Sequence, residues 1–70
     1  MNHLKFMRFK KEKTQDQIFL ETGIPQSKVS RIENGYLIPS VREKELLARV
    51  LDCNEEDIFP SQSHSQIATG

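Results

Sequence analysis

Between Gln26 and Asn34 the chain reads Gln-Ser-Lys-Val-Ser-Arg-Ile-Glu-Asn. Its polar members suit planar, edge-on hydrogen bonding. The Gln26 amide holds a donor and an acceptor side by side, which matches the major-groove edge of adenine. The Arg31 guanidinium offers two parallel donors, which fit guanine or clamp a phosphate. Ser27 and Ser30 are short hydroxyls that reach a base or a phosphate, and Lys28 adds attraction for phosphate. The same side chains also suit a plain solvated helix face, so their types alone leave both readings open.

These groups need a rigid support, and the flanking residues supply one. Val29 and Ile32 lie three apart and mark a buried side, which leaves Gln26, Ser27, Lys28, Ser30 and Arg31 facing outward. Ile24-Pro25 precedes this helix, and proline suits a helix start because its missing N–H would be unpaired there. Asn34-Gly35 ends it. That dipeptide is also a hairpin signal, but no alternating strand pattern flanks it. Upstream, Thr14-Gln15-Asp16-Gln17 is a capping box that opens a second helix, with Asp16 at the positive end of the helix dipole. This helix runs to Thr22 and stops at Gly23, where a left-handed conformation costs glycine little. Two helices joined by a short turn containing glycine form a helix-turn-helix, whose second helix enters a DNA groove.

Three further helices complete the outline. His3 to Lys11 offers Leu4 and Met7 to a core, with Phe6 and Phe9 left as core or self-association surface. Ser40-Val41-Arg42-Glu43 is a second capping box, and Leu46, Leu47, Val50 and Leu51 share a face behind it. Asn54-Glu55-Glu56-Asp57 starts a short helix carrying Ile58 and Phe59, and Pro60 follows. The expectation is an all-α domain over residues 1–60 and a flexible tail over 61–70.

Composition narrows the function classes. Seventy residues sit near the lower limit for a self-sufficient core, which favours a binding module over an enzyme. No stretch is long enough to span a membrane, and the N-terminus lacks the apolar block of a secretory signal. Cys53 is the only cysteine, so no intrachain disulfide forms and a reducing cytoplasm is expected. Cys53 itself reads as a small buried hydrophobe. Net charge is zero but uneven: residues 1–36 carry seven bases against four acids, and residues 37–70 carry three bases against six acids. Such a split can turn a basic face to phosphate. The lysines at 5, 10, 11 and 13 read as a solvated face. His3 and His64 are far apart with no clustered ligands, so neither a metal site nor a catalytic triad is expected. No glycine-rich phosphate loop is present, and no cofactor is expected.

Thr14-Gln15, Thr22-Gly23-Ile24 and Val29-Ser30-Arg31-Ile32-Glu33-Asn34-Gly35 resemble the Cro/cI-type helix-turn-helix proteins, the XRE family, over about Leu4 to Phe59. The resemblance implies a compact five-helix, lambda-repressor-like DNA-binding domain of a bacterial or phage regulator. It implies base contacts from Gln26, Ser27 and Arg31, and phosphate contacts from Gln15 and Asn34; Ser30 as a base contact and Lys28 as a phosphate contact rest on residue type. It also implies that Gln15 braces Gln26, and that Arg8 and Glu33 pair to tie the first helix to the third. Three positions depart from the pattern. Phe19 stands where a small residue is usual, so either the helices shift or Phe19 points aside. Pro25 replaces a Ser or Thr cap, and Lys13 replaces an apolar residue.

The function expected from these features is sequence-specific double-stranded DNA binding by a nucleoid-associated repressor. One such domain reads few base pairs, so a homodimer on a near-palindromic site is expected. Leu37, Ile58 and Phe59 are the candidate dimer surface. The alternative is an antitoxin that binds a toxin-like partner protein and regulates its own operon, with the 61–70 tail folding on that partner.

Overall fold

Three helix starts in this chain are fixed by side chains that close onto their own backbone. A computed structural model describes residues 2–60, and the expected tail lies outside the described residues. The Thr14 hydroxyl accepts from the Gln17 N–H at 3.1 Å, and the Gln17 side chain accepts from the Thr14 N–H at 2.8 Å. Ser40 and Glu43 repeat the arrangement at 3.1 and 2.9 Å. The Asp57 carboxylate accepts from the Asn54 N–H at 3.0 Å. Each satisfies amide hydrogens that the first turn of a helix would leave unpaired.

The described residues form five helices: α1 (Leu4–Lys10), α2 (Gln15–Thr22), α3 (Gln26–Glu33), α4 (Val41–Val50) and α5 (Glu55–Ile58). There is no strand among them, as the sequence led us to expect. Three helices end in the same way. Beyond α1, α3 and α4 the chain turns through positive φ at Glu12 (57°), Gly35 (79°) and Asp52 (53°). In each case the next N–H reaches back to the helix: Lys13 to the Arg8 carbonyl, Tyr36 to Arg31 and Cys53 to Ala48. These are Schellman closures, which satisfy carbonyls left over at a helix C-terminus. Two of them use residues other than glycine.

Between α2 and α3 the turn is held by Thr22 and Gly23. The Thr22 hydroxyl donates to the Ile18 carbonyl at 2.6 Å and accepts from the Ile24 N–H at 3.1 Å. Gly23 sits at φ 83° and donates to the Phe19 carbonyl at 2.8 Å. Pro25 caps α3 with no side-chain hydrogen bond, so this helix start lacks the closure that α2 and α4 have.

The core comprises Leu4, Met7, Ile18, Ile24, Val29, Ile32, Leu47, Ala48, Leu51, Ile58 and Phe59, with Leu37, Val50 and Cys53 packed at its margin. Every helix contributes. Burial of this apolar surface is the main favourable term for so small a domain. The chain start is tied in as well: the His3 N–H donates to the Ile58 carbonyl at 2.7 Å, and the Asn2 amide donates to the Ile32 carbonyl at 2.8 Å.

One expectation needs correction here. Ile58 and Phe59 are not dimer surface: they are 0% and 5% exposed and belong to the core. α5 folds its apolar side back onto α1 and α4, so its acids face outward and its hydrophobes inward. Phe6 and Phe9 are not core, being 62% and 61% exposed. The Phe9 ring instead lies 4.7 Å from the Arg8 guanidinium carbon and 6.0 Å from the Lys5 ammonium, a cation–π arrangement. Phe19 is 41% exposed; the residue next to it, Ile18, fills the interior and leaves Phe19 turned aside.

Gly23 tests the turn. Nothing lies within 4 Å of a Cβ placed there, so any cost of a side chain comes from the left-handed backbone alone. Gly23→Ala should destabilise the domain by about 1 kcal/mol, read as a lower urea midpoint at unchanged slope. No loss of stability would show that the turn does not need this conformation.

Candidate nucleic-acid interface

α3 has two faces of opposite character. Val29 and Ile32 are fully buried, which fixes the helix against the rest of the domain. Gln26, Ser27, Arg31 and Asn34 are exposed, and Lys28 and Ser30 are half-buried. Of the predicted outward row, Gln26, Ser27 and Arg31 are therefore outward, and they stand on a helix whose other side cannot rotate away without opening the core.

A polar network holds this helix from behind. Arg8 on α1 donates through Nε to Glu33 Oε2 at 2.5 Å and through Nη2 to Glu33 Oε1 at 3.3 Å, while its Nη1 donates to the Lys13 carbonyl at 3.2 Å. The two side chains are 8% and 3% exposed. Gln15 on α2 donates to Glu33 Oε1 at 3.1 Å. One carboxylate at the end of α3 thus gathers α1 and α2. Among the described residues no buried side-chain nitrogen or oxygen lacks a partner, so the cost of burying these charges is offset by full hydrogen bonding. The expected pairing of Arg8 with Glu33 is present.

The expected brace is not. Gln15 turns to Glu33, and the Gln26 amide donates instead to Asp16 Oδ1 at 2.9 Å. The sequence reading gave Asp16 only a role at the helix dipole. Carboxylate wins this place because it can only accept, and the Gln26 amide nitrogen needs an acceptor.

Lys28 is also engaged. Its ammonium lies 2.5 Å from Glu43 Oε2 at the start of α4. The Glu43 carboxyl is held below its ordinary range, chiefly by the hydrogen bond from Lys28, then by the Ser40 N–H. Glu43 thus serves the capping box and the ion pair together, joining α3 to α4. Glu43 was missed as a partner for Lys28 because the two are fifteen residues apart and only the fold brings them together. Asn34 donates from its side-chain amide to the Ser30 carbonyl at 2.9 Å, which leaves that amide a second hydrogen. Among the described residues nothing pairs with the Arg31 guanidinium.

A family model described as "Helix-turn-helix" matches residues 4–58, most of the chain and all five helices. The chain belongs to the Cro/cI-type helix-turn-helix family. No curated protein matches the chain in comparison. Its fold is accordingly the all-α, lambda-repressor-like one, and α2 and α3 are the two helices of the motif. As a member of a DNA-binding regulatory family that is generally non-enzymatic, this Cro/cI-type protein is a DNA-binding transcription regulator in the general sense.

Among the described residues no group of three or more His, Cys, Asp or Glu is arranged to hold a metal ion, and no helix is long and apolar enough to cross a membrane. Cys53 is half-buried, and burial, followed by the nearby Asp57, pushes its thiol up from the ordinary value. That suppresses the thiolate, the reactive form.

Two measurements check the supports of α3. Glu33→Ala should cost about 3 kcal/mol in denaturant unfolding, because it leaves a buried guanidinium unpaired, and the double substitution Arg8→Met with Glu33→Leu should cost less than Glu33→Ala alone. An additive pair would contradict the coupling. Glu43→Gln keeps the capping geometry and removes the ion pair. Because the Glu43 pKa is lowered in the folded protein, its stabilisation is complete above the ordinary value of 4.5 and is lost as the pH falls below it. The variant should therefore be less stable by about 0.5 kcal/mol near pH 7, with the gap closing toward acid. A gap that widened on acidification would overturn this account of the pair.

Proposed function

We propose that the protein is a sequence-specific regulator of transcription that acts as a repressor, laying α3 in the major groove of double-stranded DNA. The observation that carries this reading is the division of α3 into a locked apolar face and an exposed row of Gln26, Ser27 and Arg31. A helix presented in this way fits the groove, and its first residues meet base edges. In this reading Gln26 contacts adenine, Arg31 contacts guanine or phosphate, and Ser27 and Ser30 donate short bonds. Gln15, Lys28 and Asn34 lie on phosphates. Lys28 meets phosphate in competition with Glu43, so its charge is already positioned when DNA arrives.

The reading includes a homodimer, since one α3 spans too few base pairs for selectivity. With Ile58 and Phe59 inside, the exposed apolar groups nearest Leu37 along the chain are Tyr36, Ile38 and Val41. The domain over residues 1–60 is the DNA-binding unit in this proposal.

Selecting bound sequences from a random duplex pool, then titrating the best site against random duplex across a salt series, tests the proposal. The selected site should bind at least a thousandfold tighter than random duplex. Lys28→Gln should weaken all duplexes and lower the log–log salt slope by about one. Gln15→Ala should weaken all sequences alike without moving the slope. A protein that binds no site more tightly than random duplex is not a specific regulator.

A further inference from the structure

The reading of Gln26 as a contact to adenine, on which this inference rests, requires its amide to face one particular way round. A glutamine amide is nearly symmetric in shape. Turning it over exchanges donor and acceptor and so exchanges the base edge that it matches. Something must choose, and solvent does not.

Asp16 makes that choice in this structure. It lies in the first turn of α2, ten residues before Gln26, the first residue of α3, and its Oδ1 accepts from the Gln26 Nε2 at 2.9 Å. A carboxylate has no hydrogen to give at neutral pH. Reversing the amide would set the Gln26 Oε1 against it, acceptor against acceptor. The neighbouring Gln15 could have accepted either orientation, but its amide nitrogen is committed to Glu33 at 3.1 Å. We infer that Asp16 is a positioning residue that fixes the orientation of the Gln26 amide and thereby sets the base read at one position of the DNA site. With one Nε2 hydrogen held by Asp16, Gln26 presents the other hydrogen beside Oε1. That order of donor and acceptor matches N7 and the N6 amino group of adenine. Both side chains are exposed in the free protein, where water competes. On DNA the water is displaced, and an unfavourable orientation would leave two facing acceptors unsolvated.

The exposed position of Asp16 makes it replaceable without disturbing the core. Asp16→Asn is the informative change, because asparagine can donate or accept and so supports both orientations of Gln26. Wild type, D16N and Q26A are each carried through selection from a random duplex pool, followed by competition titrations with single-base variants of the selected site. Helical circular dichroism during melting confirms that each variant is folded. Q26A should abolish the preference at one base position. D16N should lower the preference at that same position by roughly three- to tenfold, leave the other positions unchanged, and bind no more weakly overall, since it removes a negative charge near phosphate. If Q26A abolishes a preference that D16N retains in full, Asp16 does not orient the amide. The inference is equally overturned if D16N weakens every sequence alike, which is the mark of a merely structural role. If Q26A abolishes no preference, or if wild type selects no sequence, the reading of Gln26 itself is wrong and the role of Asp16 goes with it.

Discussion

The buried pair of Arg8 and Glu33 is the constraint around which the domain is arranged. A guanidinium and a carboxylate, each nearly excluded from solvent, tolerate burial only while every donor and acceptor is met. Meeting them takes α1, which carries Arg8, α3, which carries Glu33, the Lys13 carbonyl before α2, and Gln15 within α2. The pair therefore sets the relative placement of the first three helices. A hydrophobic pair at the same place would pack the helices together but would not dictate their register, because apolar contact has no direction. For a helix that must present side chains to a rigid partner, direction matters more than the few kcal/mol that separate the two solutions.

α3 is held at both ends by charge as well as along its length by Val29 and Ile32. Glu33 fixes its C-terminal end to α1 and α2, and Lys28 near its start is joined to Glu43 on α4. The proline at its N-cap supplies no side-chain hydrogen bond. The start of α3 thus relies on tertiary contacts, Lys28 with Glu43 and Gln26 with Asp16, where α2 and α4 rely on local capping. Its N-terminal end is consequently the part of the helix most dependent on neighbouring helices.

Much of the fold was legible because its signals are local. Thr14 with Gln17, and Ser40 with Glu43, close within four residues, and Gly23 sits where a left-handed turn is required. The helix ends at Glu12 and Asp52 were not legible as such, because a rule that looks for glycine passes over residues that the Schellman bonds hold at positive φ. Ile58 and Phe59 were misplaced for a related reason. They follow four residues of which three are acidic and precede Pro60, so nothing local says which way they face; the return of α5 onto α1 and α4 turns them inward. At the site, the residue types of α3 and the pairing of Arg8 with Glu33 could be read, the latter through family resemblance. The partners of Gln26 and Lys28 could not, because Asp16 and Glu43 already had sufficient local roles at helix N-termini and their second roles exist only in three dimensions.

Those double roles bear on how a chain of zero net charge can serve a polyanionic partner. Non-specific attraction to DNA grows with the number of phosphates neutralised, and three of the ten bases of this protein are engaged by acids of its own. Lys13 is paired with Glu21, Lys28 with Glu43 and Arg8 with Glu33. Acids placed beside bases in this way weaken attraction to any duplex, but they also hold polar groups at set positions before contact. Under the proposed function, random sequence gains little from such a surface, and a matching sequence gains the hydrogen bonds of side chains whose orientation is already determined. On that proposal discrimination comes from lowering the affinity for the wrong site as much as from raising it for the right one, with the acids around α3 serving a small domain of zero net charge in this way.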